Sequence, residues 1–359
     1  MPTGQLKILN DVPLAPRTTL GLGGNARYFT DCASEENILE ALTYARTGGL
    51  RIHVLGGGSN TVVADGGFDG LVVKISVPGV SFALNGDSAL VRVGAGEDWD
   101  RFVGESVQRG LGGLECLSGI PGLVGATPVQ NVGAYGQEVS DVVAGVRVID
   151  RSTLDLLTLT AADCHFDYRQ SRFKAEDTDR YIITEVTFAL LPEALPTVRY
   201  PELERAINER VDISSLGRGT ESLTAVRATV LQIRRAKSMV IDPADPNTKS
   251  VGSFFMNPVV DRAAFTELTT RWMASGGREE IPHFLFGTAM KISAAWLVEK
   301  SGFPRGYRKG GVGISDNHSL ALVNRGGTTR ELLDLAAAIE AAVLRRFGLH
   351  LQREPVLLQ

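Results

Sequence analysis

The spacing of apolar residues predicts alternating strands and helices near the start of the chain. Residues Ala26 to Cys32 form a predicted strand, and Ser34 is a suitable N-cap for the helix that follows. The positions that share one apolar face of this helix are Ile38, Leu42 and Ala45. Gly48 ends the helix and a second strand covers Arg51 to Leu55, so the segment is typical of a βαβ unit.

The same pattern predicts a helix over Asp98 to Arg109, closed by Gly110. Its inward positions are Trp99, Phe102, Val103 and Val107. Near the C-terminus, Thr328 and Glu331 form a predicted capping box. The apolar face of the helix after it consists of Leu332, Leu335, Ile339, Val343 and Phe347, and Gly348 follows. We expect a final strand over Leu349 to Leu357.

The middle of the chain lacks repeated βαβ units. Short strands separated by turn residues are predicted from Val139 to Leu191, which indicates a mixed α+β region. Helices are predicted over Glu202 to Ile213 and Ala225 to Lys237. Ile241 to Thr248 contains two prolines and two aspartates and is predicted to be a linker into another domain.

Composition places the chain among ordinary globular proteins. Of its 359 residues, 43% are hydrophobic and 22% charged, so two or three domains with substantial cores are expected. The net charge of −4 gives no general attraction for nucleic acid, and no basic patch is visible. The 40 glycines exceed the usual share of about 7%, and they cluster in a few loops.

Cysteine and histidine usage narrows the location and the chemistry. Cys32, Cys116 and Cys164 are odd in number and widely spaced, which favours buried thiols in a reducing compartment. The histidines show no metal-ligand spacing, so we expect no metal. Residues Met1 to Asn10 lack a basic stretch followed by an apolar one, and no apolar run approaches about 20 residues. We therefore expect a cytoplasmic protein that does not associate with membranes.

The run LGGGSN, Leu55 to Asn60, follows the second predicted strand. Glycine permits the positive φ values that turn successive backbone N–H groups toward an anion, and Ser59 and Asn60 add polar donors. A tight turn after a buried strand is the alternative. In a dinucleotide-binding Rossmann unit the glycine loop follows the first strand, so that fold is disfavoured.

A second tract, IPGLVGATPVQNVGAYG, runs from Ile120 to Gly136. It combines glycine turns with polar uncharged side chains, which suits a neutral planar ring held by backbone and amide hydrogen bonds. An irregular structural loop is the alternative, although a stretch this long is usually functional. Together the two tracts predict one large cofactor with a diphosphate and a flat ring.

Three further segments carry candidate chemistry. Arg169 in DYRQSRFK has the planar fork that matches a carboxylate, although it could also be a solvated strand end. Ser253 in VGSFFMNP lacks the context of a nucleophile elbow, so it would donate a proton rather than attack; a simple turn is the alternative. Glu354 in LQREPVLL would ordinarily be an exposed carboxylate.

Taken together, these five motifs closely resemble the UDP-N-acetylenolpyruvoylglucosamine reductases of peptidoglycan synthesis. The likeness spans nearly the whole chain, because the motifs LGGGSN, IPGLVGATPVQNVGAYG, YRQSRFK, VGSFFMNP and REPV occur in the family's order and approximate spacing. The segment between YRQSRFK and VGSFFMNP, with Tyr200 in RYPEL, is similar to the longer type I subclass, which has an extra segment that covers the substrate.

The resemblance implies an α+β protein with a vanillyl-alcohol-oxidase-like (PCMH-like) FAD-binding fold in two subdomains and a C-terminal α+β substrate-binding domain. The implied bounds are residues 1–75, joined by the C-terminal strand 352–359, for the first FAD subdomain. Residues 76–238 form the second, and residues 239–351 the substrate domain. The implied cofactor is noncovalent FAD, with NADPH as hydride donor, in a monomer that acts on a UDP-sugar enolpyruvyl ether.

The resemblance also implies residue roles. Arg169, Ser253 and Glu354 match the catalytic arginine, the proton-donating serine and the catalytic glutamate. The substrate-binding positions are Tyr200, Lys237 and Asn257. The flavin contacts are Gly56, Gly57, Gly58, Ser59, Asn60, Ile120, Pro121, Gly122, Gly125, Ala126, Thr127, Gln130, Asn131, Gly133, Ala134, Tyr135 and Arg234.

Two positions depart from the pattern of some relatives. Val356 stands where these relatives have an arginine two residues after the glutamate. His318 stands where they have a glutamine that contacts substrate.

The reaction that the resemblance implies transfers hydride through FAD to the enolpyruvyl group. Ser253 then protonates the α-carbon of that group, and Lys237 is a candidate to assist. Two other functions stay open at this stage. One is an oxygen-reactive sugar-lactone or alcohol oxidase of the same fold; the other is a nucleotide-binding module without catalysis.

Overall fold

The computed structural model describes residues 6–209 and 215–359, without the side chain of Asn85. Backbone contacts divide the chain into two compact units. The first unit comprises residues up to Val12, Ala26–Gly58 and Asp69–Val240. The second comprises Pro13–Asn25, Ser59–Phe68 and Ile241–Gln359, so two short N-terminal segments belong to the same unit as the C-terminal third.

Helices and strands are mixed throughout, as an α+β protein requires. The helices of the described chain are α1 (Glu35–Thr47), α2 (Trp99–Gln108), α3 (Pro201–Asn208), α4 (Thr220–Ala236), α5 (Arg262–Ala274), α6 (Ala294–Lys300) and α7 (Thr329–Phe347). The strands are β1 (Leu9–Pro13), β2 (Asn25–Cys32), β3 (Ile52–Leu55), β4 (Thr61–Val63), β5 (Phe68–Ile75), β6 (Val80–Asn85), β7 (Ser88–Gly94), β8 (Leu111–Gly112), β9 (Gly133–Ala134), β10 (Gln137–Glu138), β11 (Val143–Asp150), β12 (Leu156–Thr160), β13 (Tyr181–Pro192), β14 (Ser250–Ser253), β15 (Val259–Val260), β16 (His283–Phe286), β17 (Ala289–Ile292), β18 (Arg308–Lys309), β19 (Val312–Ile314), β20 (Ala321–Asn324) and β21 (Val356–Leu358).

The predicted βαβ segment is present as β2, α1 and β3. Ser34 caps α1 by accepting a hydrogen bond from the Asn37 N–H, and the three predicted apolar positions of this helix are buried. The sheet order is β1-β2-β5-β3, with β3 and β5 parallel. Strand β5 therefore lies between the two strands of the predicted unit, which local periodicity does not reveal.

A larger antiparallel sheet forms the rest of the first unit's core. Its order is β12-β11-β13-β7-β6, and β8 pairs with the end of β13. Helix α2 packs its predicted apolar face on this sheet, where Trp99, Phe102 and Phe188 form a ring cluster with centroids 5.2 to 6.0 Å apart. Asp98 caps α2 through the Arg101 N–H, and Gly110 follows it with φ +71°.

The second unit is built from two small antiparallel sheets, β14-β20-β19-β18 and β15-β17-β16, and one parallel pair, β21-β4. Its core includes a ring cluster of Trp272, Trp296 and Phe347. The predicted capping box of α7 is confirmed, and Gly348 ends this helix with φ +72°. The Asp65 carboxylate accepts hydrogen bonds from the first two N–H groups of α7, which attaches segment 59–68 to this unit.

The prediction of one strand over Leu349 to Leu357 is wrong in extent. The chain first pairs with segment 254–256, where the Met256 N–H donates to the Gln352 carbonyl and the Glu354 N–H to the Phe254 carbonyl. Pro355 has no N–H and interrupts this pairing. Only Val356–Leu358 forms a strand, parallel to β4.

Other bounds also differ from the sequence pattern. Helix α3 starts at Pro201 and is described to Asn208, while residues 210–213 of the predicted helix lie outside the described residues. Helix α4 begins at Thr220, earlier than predicted. The predicted linker Ile241 to Thr248 starts where the second unit resumes. The three-domain division stays a prediction, because the contacts define two units.

Candidate active site

The first glycine loop and the second tract approach each other with bare backbone. A Cβ atom placed on Gly57 would lie 2.9 Å from the Cα of Gly122, closer than real Cβ contacts. Gly58 and Gly122 have φ values of +65° and +126°, which L side chains rarely adopt. The sequence thus uses glycine here because backbone must pass backbone and turn in the left-handed region.

The second tract is held in place by the chain just before α2. The Trp99 N–H donates to the Gly122 carbonyl at 3.1 Å, and the Gly125 N–H to the Ala95 carbonyl at 3.0 Å. A third bond joins the Val124 N–H to the Glu97 carbonyl at 2.9 Å. These three bonds attach the tract to residues 95–99, where α2 begins.

Both backbone polar groups of Gly119, which precedes the tract, form hydrogen bonds with side chains. Its N–H donates to the Asp100 carboxylate at 2.6 Å, and its carbonyl accepts from Arg234 at 3.3 Å. Asp100 is in turn bound by both terminal nitrogens of Arg227, at 2.6 and 2.9 Å. Helices α2 and α4 are therefore joined at the point where the tract begins.

Arg234 is a buried cation at this point. It is 8% exposed, and a second bond from its guanidinium goes to the Met239 carbonyl at 2.9 Å. Burial lowers the pKa of Arg234, although Tyr135 and Asp100 oppose that effect. Its Nε atom is buried and has no hydrogen-bond partner among the described residues. A buried guanidinium with a donor still to satisfy suits an anionic or polar cofactor group.

Two predicted flavin contacts use their side chains within the tract itself. Thr127 Oγ1 donates to the Val124 carbonyl at 2.8 Å. The Asn131 amide nitrogen donates to the Glu138 carboxylate, and its oxygen accepts from the Ser140 N–H. The side-chain donors of both residues are therefore used within the protein, which leaves only their side-chain oxygens to accept a bond from a cofactor.

Three residues that are not glycine have left-handed backbone around the tract. Asn131, Tyr135 and Arg169 have φ values of +44°, +50° and +54°. Such conformations cost free energy and persist only where surrounding contacts enforce them, which is common at binding sites. Burial raises the pKa of Tyr135 to about 12.

Arg169 is attached to the tract through main-chain carbonyls. Its two terminal nitrogens donate to the carbonyls of Gly133, at 2.5 Å, and Asn131, at 3.3 Å. Its guanidinium lies 5.7 Å from the ring centroid of Tyr168, and its own carbonyl accepts from Lys174. The structure thus places this predicted catalytic cation beside the predicted flavin loop.

The predicted substrate residues of the first unit lie close to the same tract. The rings of Tyr200 and Tyr135 meet edge to face, with centroids 5.6 Å apart. Burial, followed by the charge of Glu202, raises the pKa of Tyr200. Lys237 pairs with Glu202 at 2.7 Å, which links the end of α4 to the start of α3.

In the second unit, Ser253 and Glu354 are brought together by backbone pairing. Ser253 ends β14 opposite Ala321, and the next carbonyl, that of Phe254, accepts from the Glu354 N–H at 2.9 Å. The Asn60 amide donates to the Glu354 carbonyl at 3.3 Å. The end of the first glycine motif, the serine and the glutamate therefore meet in one region of this unit.

Asn257 has a structural contact as well as its predicted substrate role. Its amide oxygen accepts from the Ala294 N–H at 2.8 Å, at the start of α6. Sequence reasoning did not select Asp100, Arg227 or the buried Glu115, all of which support the tract. An acidic residue in the first turn of a helix is ordinary, so the sequence offers no signal for Asp100.

Other site types receive no support in the described part of the chain. No cluster of three metal-ligating side chains is found there. In that same part, no helix is both long enough and apolar enough to cross a membrane. Cys32, Cys116 and Cys164 are buried free thiols.

FAD fits the residues of the first unit. The glycine loop turns in the left-handed region and can direct its N–H groups toward a diphosphate, and Arg234, which bonds Gly119 beside the second tract, has a buried donor without a partner among the described residues. The uncharged second tract suits a flat ring system. These features define a class, the flavoproteins, and residues 26–154 match the model of an FAD binding domain.

Comparison with known proteins narrows that class. Residues 243–358 match the model of the UDP-N-acetylenolpyruvoylglucosamine reductase C-terminal domain. The reductase of that name from Thermobifida fusca is 47% identical over 354 residues, covering 97% of this chain and 97% of that protein. The one from Saccharopolyspora erythraea is 45% identical over 355 residues, covering 96% and 94%. The chain therefore belongs to the UDP-N-acetylenolpyruvoylglucosamine reductase family.

A solved structure supports the fold. The crystal structure of UDP-N-acetylenolpyruvylglucosamine reductase from Thermus caldophilus superposes with a TM-score of 0.65 and 24% identity, covering 99% of both chains. The predicted flavin-binding fold and the family resemblance are thus confirmed. The oxidase and the catalytically inactive module considered from sequence are not supported, since the relatives are reductases.

Proposed function

We propose that Arg169, Ser253 and Glu354 carry the chemistry of this enzyme, an FAD-dependent reductase of peptidoglycan precursor synthesis. The enzyme reduces UDP-N-acetylglucosamine enolpyruvate to UDP-N-acetylmuramate with NADPH as reductant. The observation that carries the assignment of residues is the backbone pairing that fixes Glu354 beside the end of the Ser253 strand.

The glycine loop Gly56 to Asn60, the tract Ile120 to Tyr135 and Arg234 would hold the cofactor. When bound, FAD would supply the two-electron chemistry that links NADPH to the terminal enolpyruvyl carbon. The chain's own groups must then deal with negative charge on the α-carbon and its carboxylate.

Arg169 would stabilise that charge. Its guanidinium is already oriented by two carbonyls, so little reorganisation is needed when charge develops, and preorganised donors act most strongly in a site that excludes water. Glu354 would orient the substrate carboxyl group or share a proton with it.

Ser253 would donate its hydroxyl proton to the α-carbon, which completes the addition of one hydride and one proton across the double bond. Tyr200, Lys237 and Asn257 would bind the nucleotide diphosphate or the sugar. Lys237 already pairs with Glu202, so binding a phosphate would require that lysine to share or exchange its partner.

Three further expectations, on domain bounds, on location and oligomeric state, and on the type of substrate, are also part of this proposal. We infer a three-domain organisation with bounds at residues 1–75, 76–238 and 239–351, and the C-terminal strand joined to the first. We infer a cytoplasmic monomer, and the three buried free thiols support a reducing compartment. The net charge of −4 supports a small-molecule substrate rather than nucleic acid.

The test separates the two half-reactions. The purified yellow protein is titrated anaerobically with NADPH until flavin absorbance is bleached, and UDP-N-acetylglucosamine enolpyruvate is then added. Return of the absorbance together with one equivalent of UDP-N-acetylmuramate supports the proposal. Return of the absorbance only when oxygen is admitted would show an oxidase instead.

A further inference from the structure

The residues that link the second glycine tract to the Tyr200 segment include a fully buried carboxylate. Glu115 is 0% exposed and lies in a short 3₁₀ turn, Glu115–Leu117, before the tract. Among residues 6–209 and 215–359, no lysine, arginine or histidine side chain forms an ion pair with it. Its carboxylate instead accepts three N–H bonds, which is how a buried anion can be stabilised without an ion pair.

The three donors come from three different parts of the first unit. Gly113 N–H donates to Oε2 at 2.8 Å, while the Gln137 side chain and the Thr197 N–H donate to Oε1 at 2.8 and 2.7 Å. Gly113 and Gln137 flank the tract Ile120 to Gly136. Thr197 lies three residues before Tyr200, so one carboxylate joins both ends of the predicted flavin tract to the predicted substrate segment.

Gln137 closes this arrangement into a ring. Its side-chain oxygen accepts from the Cys116 N–H at 2.8 Å while its nitrogen donates to Glu115. Both groups of the amide are therefore used, and the amide can adopt one orientation only. Glu115, Cys116 and Gln137 are each no more than 3% exposed, so solvent cannot replace a lost bond at low cost.

Both backbone polar groups of Thr197 form hydrogen bonds with this turn. Its N–H bonds to Glu115, and its carbonyl accepts from the Cys116 thiol at 3.0 Å. Two residues further on, Arg199 approaches Gly136 so closely that a Cβ on the glycine would lie 3.2 Å from the arginine Cβ. Tyr200 and Tyr135 pack in the same apolar cluster as Cys116.

Of the three donors to Glu115, Gly113 and Gln137 lie in or next to paired strands, whereas Thr197 does not. Thr197 therefore depends most on Glu115. Gly113 follows β8, which pairs with β13, and Gln137 lies in the β9–β10 hairpin opposite Ala134. Thr197 lies in a segment that forms neither helix nor strand between β13 and α3. Loss of the Glu115 charge should therefore release the Tyr200 segment before it disturbs the flavin tract.

We propose that Glu115, with Gln137 and Cys116, is a positioning residue that holds Tyr200 in its substrate-binding place. This rests on the proposed role of Tyr200 in binding the UDP-sugar. Glu115 touches neither cofactor nor substrate in this scheme and acts through the Thr197 peptide. Its effect is on substrate affinity, while flavin binding and reduction by NADPH are left nearly unchanged.

The central variant is Glu115→Gln. The neutral amide keeps the size of the side chain. Its oxygen can accept from Gln137 and Thr197 only while its nitrogen is turned toward the Gly113 N–H, so the side chain is displaced and the Thr197 bond loses its charge assistance. Substrate affinity is measured by titrating the oxidised holoenzyme with UDP-N-acetylglucosamine enolpyruvate and following flavin absorbance. We expect a dissociation constant raised about tenfold, the usual effect of losing one charge-assisted hydrogen bond, with FAD content and the NADPH half-reaction within about twofold.

A matched control distinguishes positioning from general destabilisation. Glu35 is a partly buried carboxylate of the same unit that accepts from Arg147 and Thr184. Glu35→Gln should lower the unfolding temperature without changing substrate affinity. If both variants weaken substrate binding equally, the effect of Glu115 is only loss of stability and the proposal is wrong.

Tyr200→Ala provides the test of mechanism. If Glu115 acts through Tyr200, Glu115→Gln should weaken binding in the parent enzyme and cause no further loss in the Tyr200→Ala background. Additive losses would overturn the proposal. Unchanged substrate affinity in Tyr200→Ala would remove Tyr200 from the site, which is a failure of the proposed function itself. Weakened affinity in Tyr200→Ala with parental affinity in Glu115→Gln would overturn only the role of Glu115.

Cys116 keeps the proposal testable if Glu115→Gln does not fold. Cys116→Ala removes the donor to the Thr197 carbonyl and should raise the dissociation constant about threefold, while Cys116→Ser, which keeps a donor, should restore most of the affinity. Amide hydrogen exchange at Thr197 to Tyr200 should quicken in Cys116→Ala and not in Cys116→Ser. Equal affinity and equal exchange in the two variants would contradict the proposal.

Discussion

Arg353 and Glu340 form a two-point ion pair, with nitrogen to oxygen distances of 2.6 and 2.9 Å. Glu340 lies on α7, a helix capped at both ends, and Arg353 immediately precedes the predicted catalytic Glu354. Successive side chains of an extended segment point to opposite faces. The pair therefore fixes one face of the terminal segment to a rigid helix and determines where the next side chain points.

The first prediction follows from this pair. Arg353→Met should slow reoxidation of the reduced flavin by substrate about fivefold and leave reduction by NADPH unchanged. The reason is that the ion pair, which contributes about 1 kcal/mol, no longer orients the Glu354 side chain. Stopped-flow absorbance measures both rates. Glu340→Gln should behave alike, and the double variant should be no slower than either single one. Unchanged reoxidation in both single variants would remove this pair from catalysis.

The second prediction concerns Asp100, which binds the Gly119 N–H and both terminal nitrogens of Arg227. Burial opposes ionisation of Asp100, but bonds from Arg227 and Gly119 outweigh it and lower its pKa. Asp100→Asn should reduce the free energy of unfolding by about 1–2 kcal/mol and weaken FAD binding about tenfold.

The control for Asp100 is Glu105→Gln on the same helix. Glu105 pairs with Arg109 at the surface, so its loss should change stability by less than about 0.5 kcal/mol. Denaturant unfolding of the apoprotein and flavin fluorescence titration give the two quantities. If Asp100→Asn binds FAD as tightly as the parent chain, the hydrogen bond from the Gly119 N–H to Asp100 has no part in cofactor binding.

The third prediction is that FAD is bound noncovalently and in about equal molar amount. The histidine nearest in sequence to the first glycine loop, His53, lies within β3 opposite Val72, and burial lowers its pKa to about 4. Precipitation with acid should release all the flavin into the supernatant. Yellow colour that stays in the pellet would show a covalent link.

The fourth prediction separates the proton donor from residues that only position the substrate. Ser253→Ala should leave flavin reduction by NADPH intact and slow product formation by about 10²–10⁴-fold, the usual contribution of general acid catalysis. Ser253→Cys should recover part of the rate, because a thiol is the stronger acid.

Ser301→Ala is the matched control for Ser253. Its hydroxyl is buried without a hydrogen-bond partner among the described residues, so removing it should change neither half-reaction. Reoxidation of Ser253→Ala by substrate at the parent rate would mean that the proton comes from another group.

The fifth prediction is a pH dependence of stability. Asp150 has a pKa lowered to about 2, because bonds from Ser152 and Arg180 outweigh its burial. A carboxyl group with a folded pKa below its unfolded value stabilises the fold fully above the unfolded pKa, and the contribution is lost as pH falls through the folded pKa. Asp150→Asn should therefore cost about 2 kcal/mol at neutral pH and almost nothing near pH 2.

Asp155→Asn, at an exposed position of the same turn, is the comparison for Asp150. Its free energy of unfolding at neutral pH should differ from that of the parent chain by less than about 0.5 kcal/mol, as is usual for a surface substitution. Denaturant unfolding at a series of pH values measures all three chains. A constant difference between Asp150→Asn and the parent across that range would show that the charge of Asp150 is not the cause.

The sequence by itself determined the elements whose signals are local. Ser34 and Thr328 cap their helices as predicted, because a cap depends on the few residues around it. The two glycine tracts were recognisable for the same reason, since positive φ and bare backbone require glycine wherever they occur. The order of five such motifs was enough to indicate the family.

Only the tertiary structure decided which distant segments meet. Strand β5 lies between β2 and β3, residues 59–68 join the C-terminal unit, and Pro355 divides the predicted final strand. Glu115 was not selected from sequence, because its significance comes from donors at Gly113, Gln137 and Thr197. Contacts between residues far apart in sequence follow from packing of the whole core, which no local pattern encodes.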